Sequence, residues 1–314
     1  MTMRRVGLRW TGVVGALATV LTLSVPVSSA TATDDDPPFI GWTAQLAPLP
    51  VGYEPSSSDI CAAGRVSCVQ RTIQRMQSRY ASLSASCVHT GVFALTYLRV
   101  TQQYLETATT PGFYSDPAFV NHEDSVFASL YFSAYDNWAA GRRADVPVAW
   151  RVAFDAAKAR QVTGVGDLLL GINAHVNRDL PFTLAAIGLT KPDGTSRKPD
   201  HDRVDVMLNM VVDRLVKELA THYDPTIAAA DFAPYGTGYT GLMQLLVAWR
   251  ETAWRQAELL TAAPTADARA KVAAIIEATA ASQARAIVAT NSFVPPVTST
   301  VGRDATCAAY VAGG

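Results

Sequence analysis

The chain has 314 residues, 49% of them hydrophobic and 17% charged. That balance places it among folded globular proteins and excludes a disordered chain. With 26 basic against 27 acidic residues the formal net charge is −1, so no overall charge excess points to nucleic acid or to an anionic membrane.

Arg4, Arg5 and Arg9 precede an apolar run from Thr11 to Pro26, and small residues follow at Ser28-Ser29-Ala30 and Ala30-Thr31-Ala32. This pattern predicts a signal peptide over 1–32, cleaved near Ala30 or Ala32, and hence a secreted, extracellular or cell-envelope location. The run is too short and too rich in Gly and Thr for a membrane span. Arg4-Arg5 also loosely fits a twin-arginine signal. "DDDPP" and "PSSSD" mark residues 33–60 as an extended leader over the surface, leaving 61–314 as one domain.

From Val66 onward the apolar periodicity is helical. It predicts helices at about 67–84, 86–108, 118–141, 147–160, 165–190, 201–222, 239–263 and 265–290. Asp116-Pro117 places a cap before a proline in the first turn, and Pro147 and Pro264 open helices in the same way. Asp200 is expected to cap the helix beginning "HDRVDVML". Residues 189–200 read as a surface turn between two antiparallel helices, and 223–241 as a long loop able to cover a site. The expected fold is all-α, a single-domain bundle of about eight helices. Four cysteines in an exported chain imply two disulfides. Of three pairings, Cys61–Cys68 with Cys87–Cys307 is preferred, because the first is local and the second anchors the C-terminal tail.

The stretch "GINAHVNRDLPFTL" (171–184) sets polar residues inside an apolar helix. Asn173, His175, Asn177 and Asp179 are expected to be buried, with Arg178 paired to a carboxylate from a neighbouring helix. His175 and Asp179 share a helical face, and His201 and Asp205 repeat the spacing on the next helix. Pro181 cannot bond the Asn177 carbonyl, so a bend or break is expected near His175. In "NHEDSVFASLYFSAYDNW", Glu123 heads the apolar stripe Phe127, Leu130, Ala134 and Trp138, beside His122 and Asp124. A carboxylate on such a stripe is a site signal. His89 reads as a satisfied core residue, and "WRETAWRQAELL" as core tryptophans beside a salt-bridged face. No GxSxG, phosphate-binding glycine loop, HExxH or dinucleotide fingerprint occurs.

Taken together, "DICAAGRVSCVQRTIQRM", "CVHTGVFALTYLRVT", "FVNHEDSVFASLYFSAYDNW", "GDLLLGINAHVNRDLPF", "RKPDHDRVDVMLN" and "WRETAW" resemble an uncharacterised group of actinobacterial exported proteins, the domain-of-unknown-function family 5995. The similarity runs from about residue 55 to the C-terminal cysteine. It implies an all-helical exported domain and supplies no reaction. Asp205 stands where asparagine is expected. The chain is loosely similar to zinc-dependent phospholipase C and P1-type nucleases. It departs from them in having five histidines and no tryptophan at the expected mature N-terminus, so a three-zinc site is not expected.

The leading expectation is an exported metal-dependent hydrolase of ester or phosphoester bonds. His122, Glu123, His175, Asp179 and His201 would surround a divalent metal (Zn, or Fe/Mn), with Asp124 or Asp202 as base. Its substrate would be a small or lipid-like molecule, with cell-envelope association and no nucleic acid. The alternative is a non-enzymatic cell-envelope or small-ligand-binding protein with a satisfied polar network. A di-iron bundle ranks last for want of paired Glu-x-x-His motifs.

Overall fold

A computed structural model describes residues 52–229, 237–295 and 299–313, all within one compact unit. The predicted signal peptide, most of the leader and the middle of the predicted 223–241 loop lie outside the described residues.

The described chain is all-α. Its helices are α1 (Val66–Ser84), α2 (Gly91–Ala108), α3 (Pro117–Ala139), α4 (Val148–Lys158), α5 (Gly164–Ile172), α6 (Leu180–Ile187), α7 (Lys198–His222), α8 (Thr226–Ala229), α9 (Thr237–Ala262), α10 (Ala266–Asn291) and α11 (Val301–Gly313). Each of the eight predicted spans contains a helix, but the second begins at Gly91 and not at 86, which leaves Cys87 and His89 in the turn before it. Short α8 and α11 were not predicted, and α8 with the start of α9 shortens the expected 223–241 loop.

The helix starts follow their capping chemistry. Asp116 accepts from the Phe119 amide at 3.1 Å, with Pro117 in the first turn. Thr163 and Thr265 cap α5 and α10 in the same way. Asp200 does not cap α7, which begins two residues earlier at Lys198. Its carboxylate instead accepts from Ser115 N, Ser115 Oγ and Asp116 N, tying the start of α7 to the approach to α3.

Pro181 does not break the helix, and the irregularity expected near His175 takes the form of a π segment. The backbone widens into a seven-residue π-helix, Asn173–Asp179, between α5 and α6, and Pro181 falls in the first turn of α6. A π segment changes the hydrogen-bond step from four residues to five, which accommodates the missing donor. It also concentrates the polar run: all seven of its residues are buried.

Helix α2 is the central element, buried continuously from Gly91 to Leu98. Its Phe93 ring meets Tyr131 and Trp150 edge-on at 5.2 Å each, joining α2, α3 and α4 in the main core. Gly171 permits this approach, since a Cβ there would lie 2.3 Å from a Phe93 ring carbon. Helix α9 packs on α6, on the π segment and on α7, whereas α6 and α7 do not pack extensively on each other. The antiparallel α6–α7 pair expected from the short 189–200 turn is thus replaced by two contacts with α9.

Both preferred disulfides are present, with Cα separations of 5.1 Å for Cys61–Cys68 and 5.8 Å for Cys87–Cys307. The first closes the loop that docks on α3, where Asn121 Nδ2 donates to the Gly64 carbonyl. The second fastens α11, whose buried residues are Arg303 and Cys307, to the α1–α2 connection.

Candidate functional site

Helices α2, α3, α5, α7 and α9, the π segment and the start of α6 line a cavity of about 140 Å³ that opens to solvent. Its walls are aliphatic: Val204, Leu208, Val211, Val212 and Leu215 from α7 and Leu242, Met243 and Leu246 from α9 face Val100, Val120 and Ile172. Polar groups enter from α2, α3, the π segment and α9: Tyr97, Thr101, Glu123, Asp124, His175 and Arg250. Tyr97 Oη, Thr101 Oγ1, Asp124 Oδ2 and His175 Nε2 are buried with no hydrogen-bond partner in the protein. Such groups are costly to leave unpaired, so their gathering at one cavity marks it as a place for a polar ligand atom.

His175 is held on every side. Its ring stacks on Phe127, with centroids 3.5 Å apart and planes at 7°, and Tyr97 lies edge-on at 4.4 Å. Nδ1–H donates to Asp179 Oδ2 across 3.4 Å, which leaves the Nε2 lone pair at the cavity. Asp179 is fixed in turn by Trp150 Nε1 at 2.8 Å and Arg178 Nη1 at 2.9 Å. Arg178, fully buried, reaches Glu277 of α10 through Nε and Nη2 at 2.8 and 2.6 Å. The expected carboxylate partner from a neighbouring helix is therefore Glu277. Asn173 and Asn177 complete the buried run, with Asn177 Nδ2 donating to Asn173 Oδ1 and Asn173 Nδ2 to the Ala280 carbonyl.

Titration behaviour is pushed in opposite directions across the cavity. Burial lifts the Glu123 carboxyl to about 7, opposed by the Arg250 charge. Burial also lifts Asp124 to about 7, with the Glu123 charge adding to it. Burial lowers the His175 imidazole below its ordinary value, opposed by Asp179. Burial raises the Tyr97 phenol, which stays protonated.

The other expected site residues lie elsewhere. His122 donates from Nδ1 to the Cys61 carbonyl at 2.9 Å and so anchors the first disulfide loop. His201 Nε2 faces the Arg250 carbonyl at 3.3 Å, and its ring sits against Trp254. His201 does not pair with Asp205, because Arg250 takes both: Nη2 donates to the His201 carbonyl and Nε to Asp205. Neither His122 nor His201 lines the cavity. Asp202 is about half-exposed in a 2.6 Å ion pair with Lys198, away from the cavity lining, which corrects its expected place as a base. The five expected ligands are not brought together, since α9 stands against both the π segment and α7. Among the described residues no three donors from His122, Glu123, His175, Asp179 and His201 lie within 4.8 Å of one another.

Sequence reasoning missed Tyr97, Thr101 and Phe127 as site residues, because each falls in an apolar stripe that reads as core. His89 is not fully satisfied: Asp167 Oδ2 accepts from Nδ1 at 3.1 Å, but Nε2 makes no hydrogen bond. The one available signal was its place two residues after Cys87.

No curated protein and no solved structure matches the chain. Residues 69–290 match a family described as "Family of unknown function (DUF5995)", spanning every helix that lines the cavity. The chain belongs to that family.

Proposed function

We propose that this protein is an exported hydrolase of esters of amphipathic, lipid-like small molecules, acting in the α2–α3–α7–α9 cavity. One observation carries the reading. An imidazole nitrogen and a carboxyl oxygen, His175 Nε2 and Asp124 Oδ2, are buried without partners and line the same largely aliphatic cavity. Their proton affinities are reversed from the ordinary order, the carboxyl pair up to about 7 and the imidazole down, so that the imidazole can act as base and a carboxyl as acid. In the window between them His175 is neutral and the carboxyl pair retains a proton.

In that state His175 Nε2 takes a proton from water, and the hydroxide oxygen bonds to the ester carbonyl carbon. Tyr97 Oη and Thr101 Oγ1 are the unengaged donors for the developing oxyanion. As the carbon–oxygen bond to the leaving group breaks, Asp124 gives its proton to the departing oxygen. The products are a carboxylic acid and an alcohol, and the proton on His175 returns to Asp124 through solvent. Among the described residues no Ser or Cys lines the cavity, and water attacks the ester directly. The valine- and leucine-rich wall suits an acyl chain. Two disulfides and the N-terminal pattern of arginines, apolar run and small residues support export and a cell-envelope setting.

The donor set supports a second reading. Two carboxylates and an imidazole are donors that Zn, Fe or Mn take, but among the described residues the donor atoms of Glu123, Asp124 and His175 do not all lie within 4.8 Å of one another, so these side chains would have to draw together to hold a divalent cation that polarises the carbonyl and activates water. The mature untagged chain should therefore be assayed on chromogenic esters of graded acyl length, with elemental analysis in parallel. Hydrolysis lost in both His175→Ala and Asp124→Asn, with no stoichiometric metal, is the expected result. Stoichiometric metal lost in both variants moves the assignment to the metal-dependent form. Tight binding of long-chain esters without turnover overturns the enzyme reading in favour of a carrier.

A further inference from the structure

The second unpaired histidine lies outside this cavity, where the α1–α2 connection meets α5 and α11. We propose that the Cys87–Cys307 disulfide masks a zinc site: once it is reduced, Cys87, Cys307, His89 and Asp304 bind one zinc-like cation. Three observations converge. The two sulfurs and one ring nitrogen of His89 lie within 4.8 Å of one another, the only such group among the described residues. Thiolates with an imidazole are the donors that tetrahedral zinc takes in structural sites.

His89 is only 2% exposed. Asp167 engages its Nδ1 at 3.1 Å, and Nε2 makes no hydrogen bond. A carboxylate on one ring nitrogen fixes the tautomer and aims the other nitrogen's lone pair, as in carboxylate–histidine–zinc arrangements. The fourth ligand comes from the helix that carries Cys307. Asp304 lies three residues before it, with Oδ1 4.0 Å from His89 Nε2. Zinc bonds of about 2.0–2.3 Å place tetrahedral donors roughly 3.3–3.8 Å apart, so the two sulfurs and the imidazole need only small movements, whereas Asp304 must also turn from its ion pairs with Arg303 at 3.1 Å and Arg160 at 3.4 Å.

Cys87 is half-buried, which leaves a dithiol a path to the bond. The dithiol thiolate attacks one sulfur, the S–S bond breaks, and the reagent leaves as its own disulfide after supplying two electrons and two protons. Zinc then displaces both thiol protons. The cation keeps α11 fastened to the α1–α2 connection in the reduced chain, as the disulfide does in the oxidised one.

The test titrates the full chain, reduced with a non-chelating phosphine, with cobalt(II) and then zinc. Reduced protein is expected to take one equivalent of cobalt with thiolate-to-metal charge-transfer bands, which zinc bleaches; oxidised protein should give no such bands. Cys307→Ser should abolish the bands, the Cys61→Ser/Cys68→Ser pair should keep them, and Asp167→Asn should weaken affinity about 10–100-fold. His89→Ala should weaken it at least as much; if that variant does not fold, Asp304→Ala with Asp167→Asn provides the same reading. Cobalt bound without thiolate bands, as at the carboxylate cavity, or bands unchanged in Cys307→Ser or in the His89 and Asp167 variants, overturns the proposal.

Discussion

Asp179→Asn is the sharpest perturbation of the main site, because it preserves shape and removes only charge and one acceptor. Asp179 is fully buried and receives three donors on two oxygens: Trp150 Nε1 at 2.8 Å, Arg178 Nη1 at 2.9 Å and His175 Nδ1 at 3.4 Å. An asparagine has one acceptor oxygen and turns an NH2 group toward at least one of those donors. A buried donor left unpaired costs about 1–3 kcal/mol. Removing one partner of a buried ion pair costs about 3–5 kcal/mol when the other charge is stranded. Arg178 is not stranded here, since Glu277 Oε1 accepts two of its N–H groups. The expected loss is therefore about 2–4 kcal/mol, between the two cases. Urea unfolding followed by far-UV circular dichroism measures it. The same variant should lose about 100-fold or more in ester hydrolysis, the scale of one general base, because His175 loses its tautomer and aim. A variant within about 0.5 kcal/mol of the parent, the range of an ordinary surface substitution, with unchanged hydrolysis would refute both the network and the dyad.

The remaining predictions concern pH, the disulfides and the packing around the cavity. Glu123 and Asp124 titrate at about 7 in the folded chain against ordinary values of 4.5 and 3.8, so their contribution to stability is full below about pH 4 and is lost as pH rises through 7. Denaturant midpoints measured across that range should show the decline, and Glu123→Gln/Asp124→Asn should flatten it; an unchanged profile in that variant refutes the assignment. The loop-entropy model gives about 5 kcal/mol for Cys87–Cys307 and about 2 kcal/mol for Cys61–Cys68, from sequence separations of 220 and 7. Paired Cys→Ser variants unfolded in urea should rank in that order, and the reverse ranking would refute it. Gly171→Ala places a Cβ 2.3 Å from the Phe93 ring and should lower stability by about 1–3 kcal/mol in a thermal or urea melt. Val212→Trp narrows the aliphatic wall and should slow long-chain esters more than short ones; equal slowing would argue against the acyl chain lying there.

The family rested on quoted blocks of sequence, and much of the fold was legible from local chemistry. The period of Val69, Ile73 and Met76 marks one face of α1, and the Asp116-Pro117 cap marks where α3 begins, because caps and periods are properties of a few consecutive residues. The pairing of Cys61 with Cys68 follows from closeness in sequence. Burial of the polar run at 173–179 was also readable, since no wide polar side exists for a solvated face.

Periodicity says which face of a helix is covered, not by which neighbour. The expectation that His175 and His201 converge assumed that helices joined by a short turn pack together. Helix α9, distant in sequence, instead packs on the segments carrying each of them, so Arg250 and Trp254 became the surroundings of His201. Tertiary structure alone brought Glu123 and Asp124 of α3 to the same cavity as His175 and Tyr97, and Cys307 beside His89. In place of the break expected at Pro181, the chain runs through a π segment from α5 into α6. Sequence alone determined the eight longer helices, the Asp116 cap and the inward polar run, since these depend on neighbours a few residues apart, but not α8, α11 or the start of α7. Which of the buried groups share a cavity depended on contacts between residues some 50 to 220 positions apart, where burial of the whole bundle, not local preference, sets the partner.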